Sequence, residues 1–407
     1  MNNSRRIYDP ILFGLALLLT AVGMLFIFDA GYARALRDGK GMIPREFLMQ
    51  IPFLIVGLIG AWVISGFNQV KWKRWSKAFF FLGMLSLIAV EVPGLGVEMS
   101  GAHRWIGRGA FLVQPAEFFK LAGILYLAGV FAERKAWPSK LPKYKDWGAK
   151  MDALAIPKLM RYLPALWMLV GIVLIEKEPD MGTAAVVAVT TFVMFVIGGV
   201  SRASLALAIG LSVLGCWFMV KAQPYRMDRI LNHAQRWNPE NVDDVGYQTV
   251  QSELAMASGG VAGVGIGAGR AKHVIPATTT DFIMATIGEE FGLVGSIAVI
   301  GLLAALVWRL FWLASRAHTK FSMLVLAGVG SWIGVQACTN VMMANGFLPA
   351  IGIPLPFISS GGSSLIALWF AMGLCQAVLS PVPVKKEADV ATGRDRWGHG
   401  RARLSRA

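Results

Sequence analysis

Predominantly apolar runs recur along this chain, and most are long enough for a helix to cross the hydrocarbon core of a bilayer, which takes about 20 residues. They lie at 10–29, 47–67, 77–92, 115–132, 160–175, 182–199, 203–220, 283–314, 321–344 and 364–382. Only 15% of the 407 residues are charged, whereas soluble domains average roughly 25%. The pattern predicts an all-α polytopic membrane protein with about ten transmembrane helices. Two short runs leave counts of nine or eleven open.

The distribution of Lys and Arg predicts the orientation in the membrane, because short cytoplasmic loops carry an excess of both residues. The basic segments fall on the side of the N-terminus, at 71–77, 134–161, 315–320 and 383–407. We therefore expect both termini in the cytoplasm, with residues 1–9 before a transmembrane domain at 10–382 and a disordered basic tail at 383–407. The longest loop, 221–280, then lies outside the cytoplasm between helices 7 and 8.

Charge and cysteine content exclude several classes of function. The net charge of +15 follows from basic loops that face anionic lipid headgroups, and no nucleic-acid-binding motif accompanies it. Cys216, Cys338 and Cys375 lie inside apolar runs, and the five histidines are scattered. This distribution predicts neither a disulfide framework nor a structural zinc site, and we expect no nucleic-acid partner.

Polar residues collect in four loops on the side opposite the basic segments, at 94–120, 176–183, 221–280 and 345–364. Non-helical backbone near membrane depth is tolerated only where protein buries it or where it lines a wet cavity. We therefore expect the four loops to converge on one polar cavity. Helices 1 to 3 are expected to contribute lipid-facing residues and little chemistry.

Four charged residues in these loops have both a structural and a functional interpretation. Glu117 suits the first turn of a helix that starts at Pro115, and Asp180 suits the cap of helix 6. Arg104 and Lys120 are long enough to reach the membrane interface from the ends of helices. The alternative is that all four face the cavity and bind a ligand.

Three carboxylates lie around the start of helix 8, at Asp281, Glu289 and Glu290. Glu289 lies about 80° around the helix from Asp281 and about 12 Å along it, so the acids do not form an adjacent catalytic pair. Asp281 is either a helix cap or a functional acid at the mouth of the helix. Acids inside spans usually face the bundle interior and mark function, although a Lys or Arg partner would give Glu289 and Glu290 a structural role.

The stretch "GGVAGVGIGAGR" (259–270) does not fit a dinucleotide-binding motif, because no strand precedes it and no βαβ frame surrounds it. Residues 247–258 before it are typical of a helix that ends at Gly259 and Gly260. The glycines instead predict a flexible loop whose backbone amides can approach a ligand.

Five long motifs follow one another along the membrane region: "HRWIGRGAFLVQPAEFFKLA" (103–122), "EPDMGT" (178–183), "GYQTVQSELAMASGGVAGVGIGAG" (246–269), "TDFIMATIGEEFGLVGS" (280–296) and "LPAIGIPLPFISSGGSS" (348–364). In sequence and in order they resemble the SEDS family (shape, elongation, division and sporulation), the RodA/FtsW-type peptidoglycan polymerases. The resemblance implies a SEDS-type fold of ten transmembrane helices in the bacterial cytoplasmic membrane.

The resemblance also implies a glycosyltransferase that polymerises lipid II, a disaccharide-pentapeptide on undecaprenyl pyrophosphate, in cell division or elongation. Asp281 matches the essential Asp of the family's "TDFI" motif and is the expected general base for a sugar hydroxyl. Arg104 and Lys120, with Arg270 as a weaker candidate, would stabilise the pyrophosphate as its charge develops. Glu117 either orients Lys120 or holds a divalent cation through water, so the cofactor prediction stays open between none and a divalent cation.

Further substrate contacts are expected inside the matched motifs, at Glu117, Asp180, Gln248, Ser252, Glu289, Glu290, Ser363 and Ser364. The family acts with a single-span class B penicillin-binding protein, so we expect this transpeptidase as a partner, together with other divisome or elongasome membrane proteins. One alternative function is a flippase for lipid II or another polyprenyl-linked precursor, although the matching broken helices of a transporter are not evident in the sequence. A scaffold without activity is a third hypothesis.

Overall fold

The computed structural model describes residues 8–37, 39, 42–99, 102–109, 111–133, 163–200, 209–210, 221, 224–244 and 246–380. Its helices are α1 (Pro10–Arg37), α2 (Arg45–Ser65), α3 (Gln69–Val90), α4 (Pro115–Glu133), α5 (described over 163–177), α6 (Met181–Ile197), α7 (Pro224–Ala234), α8 (Tyr247–Ser258), α9 (Ala271–Val274), α10 (Ile283–Ser315), α11 (Lys320–Ala344) and α12 (Gly362–Leu379). Three strands lie between α3 and α4: β1 (Gly96–Met99), β2 (Ala102–Arg108) and β3 (Phe111–Val113).

Within the described residues, helices occupy nine of the ten predicted spans. The remaining span, 203–220, falls almost entirely outside them, as does the basic tail at 383–407. Six helices (α1, α2, α4, α10, α11 and α12) are long and apolar enough to cross a membrane. α6 is an apolar helix of 17 residues, and the first part of α3 carries four basic residues. The polytopic, mostly helical membrane fold is confirmed.

The centre of the bundle is formed by α4, α11 and α12, whose side chains are mostly buried. α2 packs closely against α12. The backbone at Gly60 lies so near the ring of Phe370 that no side chain would fit between them. Lipid tails are as apolar as these side chains, so close packing of this kind holds membrane helices together. The outer faces of α2 and of the second half of α10 expose large apolar side chains, as lipid-facing surfaces do.

Residues 96–113 form a small antiparallel sheet in the order β1–β2–β3, which the all-α expectation did not include. β1 and β3 have only four and three residues, and the seven residues of β2, AHRWIGR, do not alternate strictly between apolar and polar side chains. Gly107 has φ of 140° and lies so close to the Phe111 carbonyl that no side chain fits between them. The sheet holds β2 beside the cavity described below.

α10 is broken at Gly292, which has φ of 65° and ψ of −158°. Four backbone hydrogen bonds of 2.9 to 3.1 Å join residues 260–265 of the glycine-rich loop to residues 289–294 around the break. Gly263 comes too close to the Glu290 carbonyl for any side chain to fit, which explains the glycine content of the loop. Protein therefore satisfies the backbone groups that the break frees, as membrane depth requires.

The first turn of α1 is anchored at the end of the bundle far from the start of α10. Asp9 is buried and pairs with Arg309, near the end of α10, and its side chain accepts a hydrogen bond from the Leu12 amide at 2.7 Å. Gln376 of α12 accepts from the Asp9 amide at 2.9 Å and donates to the Asp9 carbonyl at 2.8 Å. Three helices are thereby joined at this end.

Candidate active site

A cavity of about 760 Å³ opens at the end of the bundle where α10 starts. The polar side chains in its wall include Arg104, Asp228, His233, Arg236, Gln248 and Asp281. The wall also contains Pro179 of the α5–α6 turn and Pro349 of the segment before α12. All four polar loops therefore contribute to one cavity, as predicted.

Asp281 lies in the turn before α10, and the structure holds that turn through its backbone. Asn340 of α11 donates to the Asp281 carbonyl at 2.8 Å, and the Ser360 amide donates to the Thr279 carbonyl at 2.8 Å. α10 starts without a side-chain cap, which excludes capping as the role of Asp281. Among the described residues, none is hydrogen-bonded to the Asp281 carboxylate, so the fold does not use this group.

The electrostatic surroundings of Asp281 raise its pKa. Burial raises the pKa to about 6 from an ordinary value of 3.8, the Asp180 carboxylate contributes in the same direction, and Arg104 opposes both. A carboxyl group with this pKa is ionised at neutral pH and is a stronger base than an ordinary aspartate.

Arg104 of β2 joins the cavity wall to the turn between α5 and α6. Its Nε donates to the Glu178 carbonyl at 2.8 Å, and a terminal nitrogen donates to the Pro179 carbonyl. These bonds use two of the five N–H donors of the guanidinium. A cation fixed in this way beside a cavity can stabilise negative charge that develops on a ligand.

Asp180 caps α6, because its Oδ1 accepts a hydrogen bond from the Thr183 amide at 3.0 Å. Its Oδ2 accepts a hydrogen bond from the side-chain amide of Gln114 at 2.7 Å, and the backbone amide of Gln114 donates to the Ser363 hydroxyl at 2.9 Å. This chain of bonds joins the sheet to the starts of α6 and α12. The protein thus occupies Asp180 and Ser363, while the charge of Asp180 still acts on Asp281.

Glu178 is a buried carboxyl group that the motif alone does not single out; the residue is 1% exposed. Neither of its carboxyl oxygens has a hydrogen-bond partner among the described residues. Burial raises its pKa to about 8 from 4.5, Asp180 and Glu91 contribute in the same direction, and Arg104 opposes them. Glu178 is therefore protonated at neutral pH.

Lys120 and Glu117 lie inside the bundle, and neither lines the cavity. The Lys120 ammonium donates to Glu117 Oε1 at 2.7 Å and to Gln336 at 2.9 Å, and it lies 5.1 Å from the centre of the Trp332 ring. The structure places Lys120 in a buried network rather than at the interface or the cavity wall, and Glu117 orients it. Over the described ranges, no three His, Cys, Asp or Glu side chains are grouped so as to hold a metal ion.

Glu289 and Glu290 bind the end of the glycine-rich loop rather than facing the cavity. Glu289 accepts hydrogen bonds from the amides of Arg270 and Ala271, both at 2.8 Å, and Glu290 accepts one from Gly269 at 3.2 Å. These loop amides, which the sequence suggested for a ligand, therefore bind the protein's own carboxylates.

Lys272 of α9 is the cationic partner of Glu290. Its Nζ lies 2.7 Å from Glu290 Oε1, and 3.0 and 2.9 Å from the two carboxylate oxygens of Asp29 in α1. Burial alone would lower the pKa of Lys272, but the hydrogen bonds to Glu290 and Asp29 outweigh this effect, so the pKa is raised. Asp29 corrects the expectation that helices 1 to 3 contribute little; an acid within an apolar run was the signal.

Of the other candidate residues, one lines the cavity, two are buried in the bundle and one is exposed. Gln248 of α8 lines the cavity. Ser252 is fully buried and donates to the Ala344 carbonyl at 2.6 Å, which joins α8 to α11. Ser364 is buried in the first turn of α12, and Arg270 is exposed at the end of the glycine-rich loop.

α7 and the turn after it supply cavity residues that the sequence motifs did not indicate, including Asp228, His233 and Arg236. Burial lowers the pKa of His233 and the Arg236 charge lowers it further, so this imidazole is neutral at neutral pH. The available signal was the amphipathic pattern of residues 224–234, which has a polar face and an apolar face.

Nearly the whole chain matches known proteins. The family of FtsW, RodA and SpoVE, described as "Cell cycle protein", matches residues 9–381. A probable peptidoglycan glycosyltransferase FtsW of Trichlorobacter lovleyi is 32% identical over 373 residues, covering 90% of this chain and 92% of the relative. Stage V sporulation protein E of Bacillus subtilis is 31% identical over 371 residues, covering 90% and 95%.

Solved structures share the fold. A chain from a peptidoglycan synthase complex, described as coordinating polymerization and crosslinking, has a TM-score of 0.70 at 27% identity, covering 91% of this chain and 97% of that chain. The rod shape determining protein RodA of Thermus thermophilus has a TM-score of 0.63 at 26% identity, covering 91% and 96%.

The helical bundle with its cavity is that of a SEDS-type multi-pass protein of the inner membrane. The chain belongs to the FtsW, RodA and SpoVE family, and it is a glycosyltransferase of cell-wall synthesis.

Proposed function

We propose that this chain polymerises lipid II into glycan strands on the outer face of the cytoplasmic membrane and releases undecaprenyl pyrophosphate. The observation that carries the proposal is Asp281, a cavity carboxylate that the fold leaves unused and whose pKa of about 6 leaves it ionised at neutral pH. The start of an apolar helix also suits a substrate whose headgroup enters the protein while its tail stays in the bilayer.

In the proposed reaction, Asp281 accepts the proton of the 4-hydroxyl group of an acceptor GlcNAc. The hydroxyl oxygen forms a bond to the anomeric carbon of the MurNAc that ends the growing strand. The bond between that carbon and the pyrophosphate oxygen breaks, and its electron pair leaves with undecaprenyl pyrophosphate. Each cycle adds one disaccharide and returns Asp281 to its ionised form when the proton passes to solvent.

The pyrophosphate is assigned to Arg104, because it alone of the three predicted cations lines the cavity. Lys120 is bound to Glu117 and Gln336 inside the bundle, and Arg270 lies outside the cavity wall. In this proposal Lys120 supports the packing of α4 against α11 and does not touch the substrate. Gln248 remains a proposed contact for the sugar.

Arg104→Ala is expected to lower kcat/KM for lipid II by about 10- to 150-fold, because a hydrogen bond from a charged donor contributes about 1.5–3 kcal/mol. The matched control is Arg316→Ala, since Arg316 is exposed at the far end of α10 and stacks on Trp312 at 4.0 Å. Both variants are compared at equal folded fraction in a polymerisation assay. Equal losses would show that the effect comes from the net charge of the protein, and would reject the assignment of the pyrophosphate to Arg104.

The two ends of the bundle support the proposed orientation. The basic segments 71–77 and 315–320 adjoin at the end away from the cavity, where the Thr319 hydroxyl donates to the Gln69 side chain at 2.7 Å. Placing these segments in the cytoplasm turns the cavity outward, where a flipped lipid substrate arrives. The relation to a peptidoglycan synthase complex supports a class B penicillin-binding protein as partner. Other divisome or elongasome membrane proteins are proposed as partners on the family resemblance alone.

The test is to supply purified protein with lipid II in detergent micelles, with and without a class B penicillin-binding protein. We expect glycan polymer in a system that has no compartment to cross. Polymer requires glycosyl transfer, whereas a flippase would leave lipid II unchanged in micelles. No polymer, even with the partner present, together with transport of lipid II across liposome membranes, would reject the proposal in favour of the flippase.

A further inference from the structure

We infer that Lys272 is a positioning residue for Asp281. Because Lys272 is paired with Asp29, the geometry of the site depends on where α1 lies. The inference rests on the proposed role of Asp281 as general base. It concerns residues that neither the cavity nor the proposed reaction uses directly.

One ammonium group binds two carboxylates from different helices. Nζ of Lys272 lies 2.7 Å from Glu290 of α10 and 2.9 Å from the nearer oxygen of Asp29 of α1. The side chains are almost removed from water: Lys272 is 3% exposed, Glu290 0% and Asp29 13%. At such low exposure water screens charges poorly, so each carboxylate strongly constrains where the ammonium lies.

The segment between Lys272 and Asp281 is compact enough to pass a displacement on. The Ile275 amide donates to the Ala271 carbonyl at 2.8 Å, and the Phe282 amide donates to the Ala277 carbonyl at 3.1 Å. Ala271, Ile275 and Phe282 share one small apolar cluster with α8 and the first turn of α10. Phe282 directly follows Asp281, so a shift of α9 moves the residue that adjoins the carboxylate.

Among the described residues, Asp29 is the one α1 side chain that accepts a hydrogen bond from Lys272, which gives a selective way to break the link. Asp29→Asn removes one charge but keeps the bond between Lys272 and Glu290, so the loop stays folded. Lys272→Met is less informative, because it leaves two buried carboxylates facing each other without a cation.

The experiment measures kcat and KM of full-length Asp29→Asn with lipid II. We expect kcat to fall by about tenfold while KM stays nearly unchanged, because a displaced base slows chemistry more than binding; misplacement by about 1 Å can cost roughly 100-fold. The matched control is Asp9→Asn, which weakens the ion pair between Asp9, just before α1, and Arg309 of α10 at the opposite end of the bundle. Its kcat should stay at the wild-type value once the folded fraction is matched.

Hydrogen–deuterium exchange of peptides covering 271–282 gives a readout that does not depend on activity. Exchange there should become faster in Asp29→Asn and stay unchanged in Asp9→Asn. Unchanged exchange and kcat in Asp29→Asn, or equal kcat losses in both variants, would overturn the inference. If the wild type makes no polymer but exchange responds only to Asp29, the proposed function fails while the link between α1 and the Asp281 turn stands.

Discussion

Asp281→Asn is expected to lower the rate of glycan polymerisation by about 10²- to 10⁴-fold, which is the usual contribution of a positioned general base. Asparagine keeps the shape of the side chain but cannot take the proton of the sugar hydroxyl. The fold should tolerate the change, because Asn340 binds the backbone carbonyl of residue 281 and not its side chain. Polymer formed from lipid II, resolved by length on gels, gives the readout.

The control for this change is Asp243→Asn, since Asp243 is an exposed carboxylate of the same long loop that does not line the cavity. The pH dependence adds a second check. Below about pH 6, Asp281 gains a proton because its pKa is raised to that value, so the wild-type rate should fall on the acid side. Retention of more than about a tenth of the wild-type rate by Asp281→Asn would reject the assignment of the base.

Glu178→Gln is expected to stabilise the protein, whereas most substitutions at buried positions destabilise. The folded protein holds a proton on Glu178 up to about pH 8, but the unfolded chain releases it above about pH 4.5. Stability is therefore lost as pH rises between these values, because the folded state binds more protons. By pH 7 the free energy of unfolding is roughly 3 kcal/mol lower than near pH 4.5, at about 1.4 kcal/mol per pH unit. Glutamine resembles the protonated side chain and carries no such penalty.

Thermal unfolding in detergent measures this effect at two pH values. Wild type and Glu178→Gln should unfold at similar temperatures near pH 4.5, and the variant should be the more stable near pH 8. Glu98→Gln is the matched control, because Glu98 lies exposed on β1 and should show no such divergence. A midpoint for Glu178→Gln at or below that of the wild type near pH 8 would contradict a protonated Glu178.

Much of the fold could be predicted because local physical chemistry determines it. Apolar runs gave the spans, since the thickness of a bilayer sets the length of a crossing helix. The cap of α6 at Asp180 and the end of α8 before Gly259 followed from residue types that satisfy the ends of helices. The convergence of the four polar loops could be predicted because backbone groups without hydrogen-bond partners are costly at membrane depth.

The partners of buried charges could not be predicted, because they depend on contacts between distant parts of the chain. Lys272 meets Asp29 across 243 positions of sequence, and Lys120 meets Gln336 across 216. The pKa of Glu178 is raised mainly by burial, which its neighbours in the sequence do not indicate. They also give no sign that its carboxyl group lacks a hydrogen-bond partner among the described residues. The motifs thus indicated a candidate site. The structure then separated Asp281 and Arg104, which line the cavity, from candidate residues that are bonded within the protein.

The break at Gly292 gives α10 two parts with different surroundings. Residues 283–291 are mostly buried in protein, whereas residues 293–315 expose Leu293, Val294 and Ile297 on the outside. Membrane helices respond to a thicker or thinner bilayer by tilting. The hydrogen bonds from residues 260–265 to residues 289–294 hold both sides of the break, so the part next to Asp281 stays in register with the bundle when the lipid-facing part responds. The geometry around Asp281 is then expected to withstand changes in lipid composition.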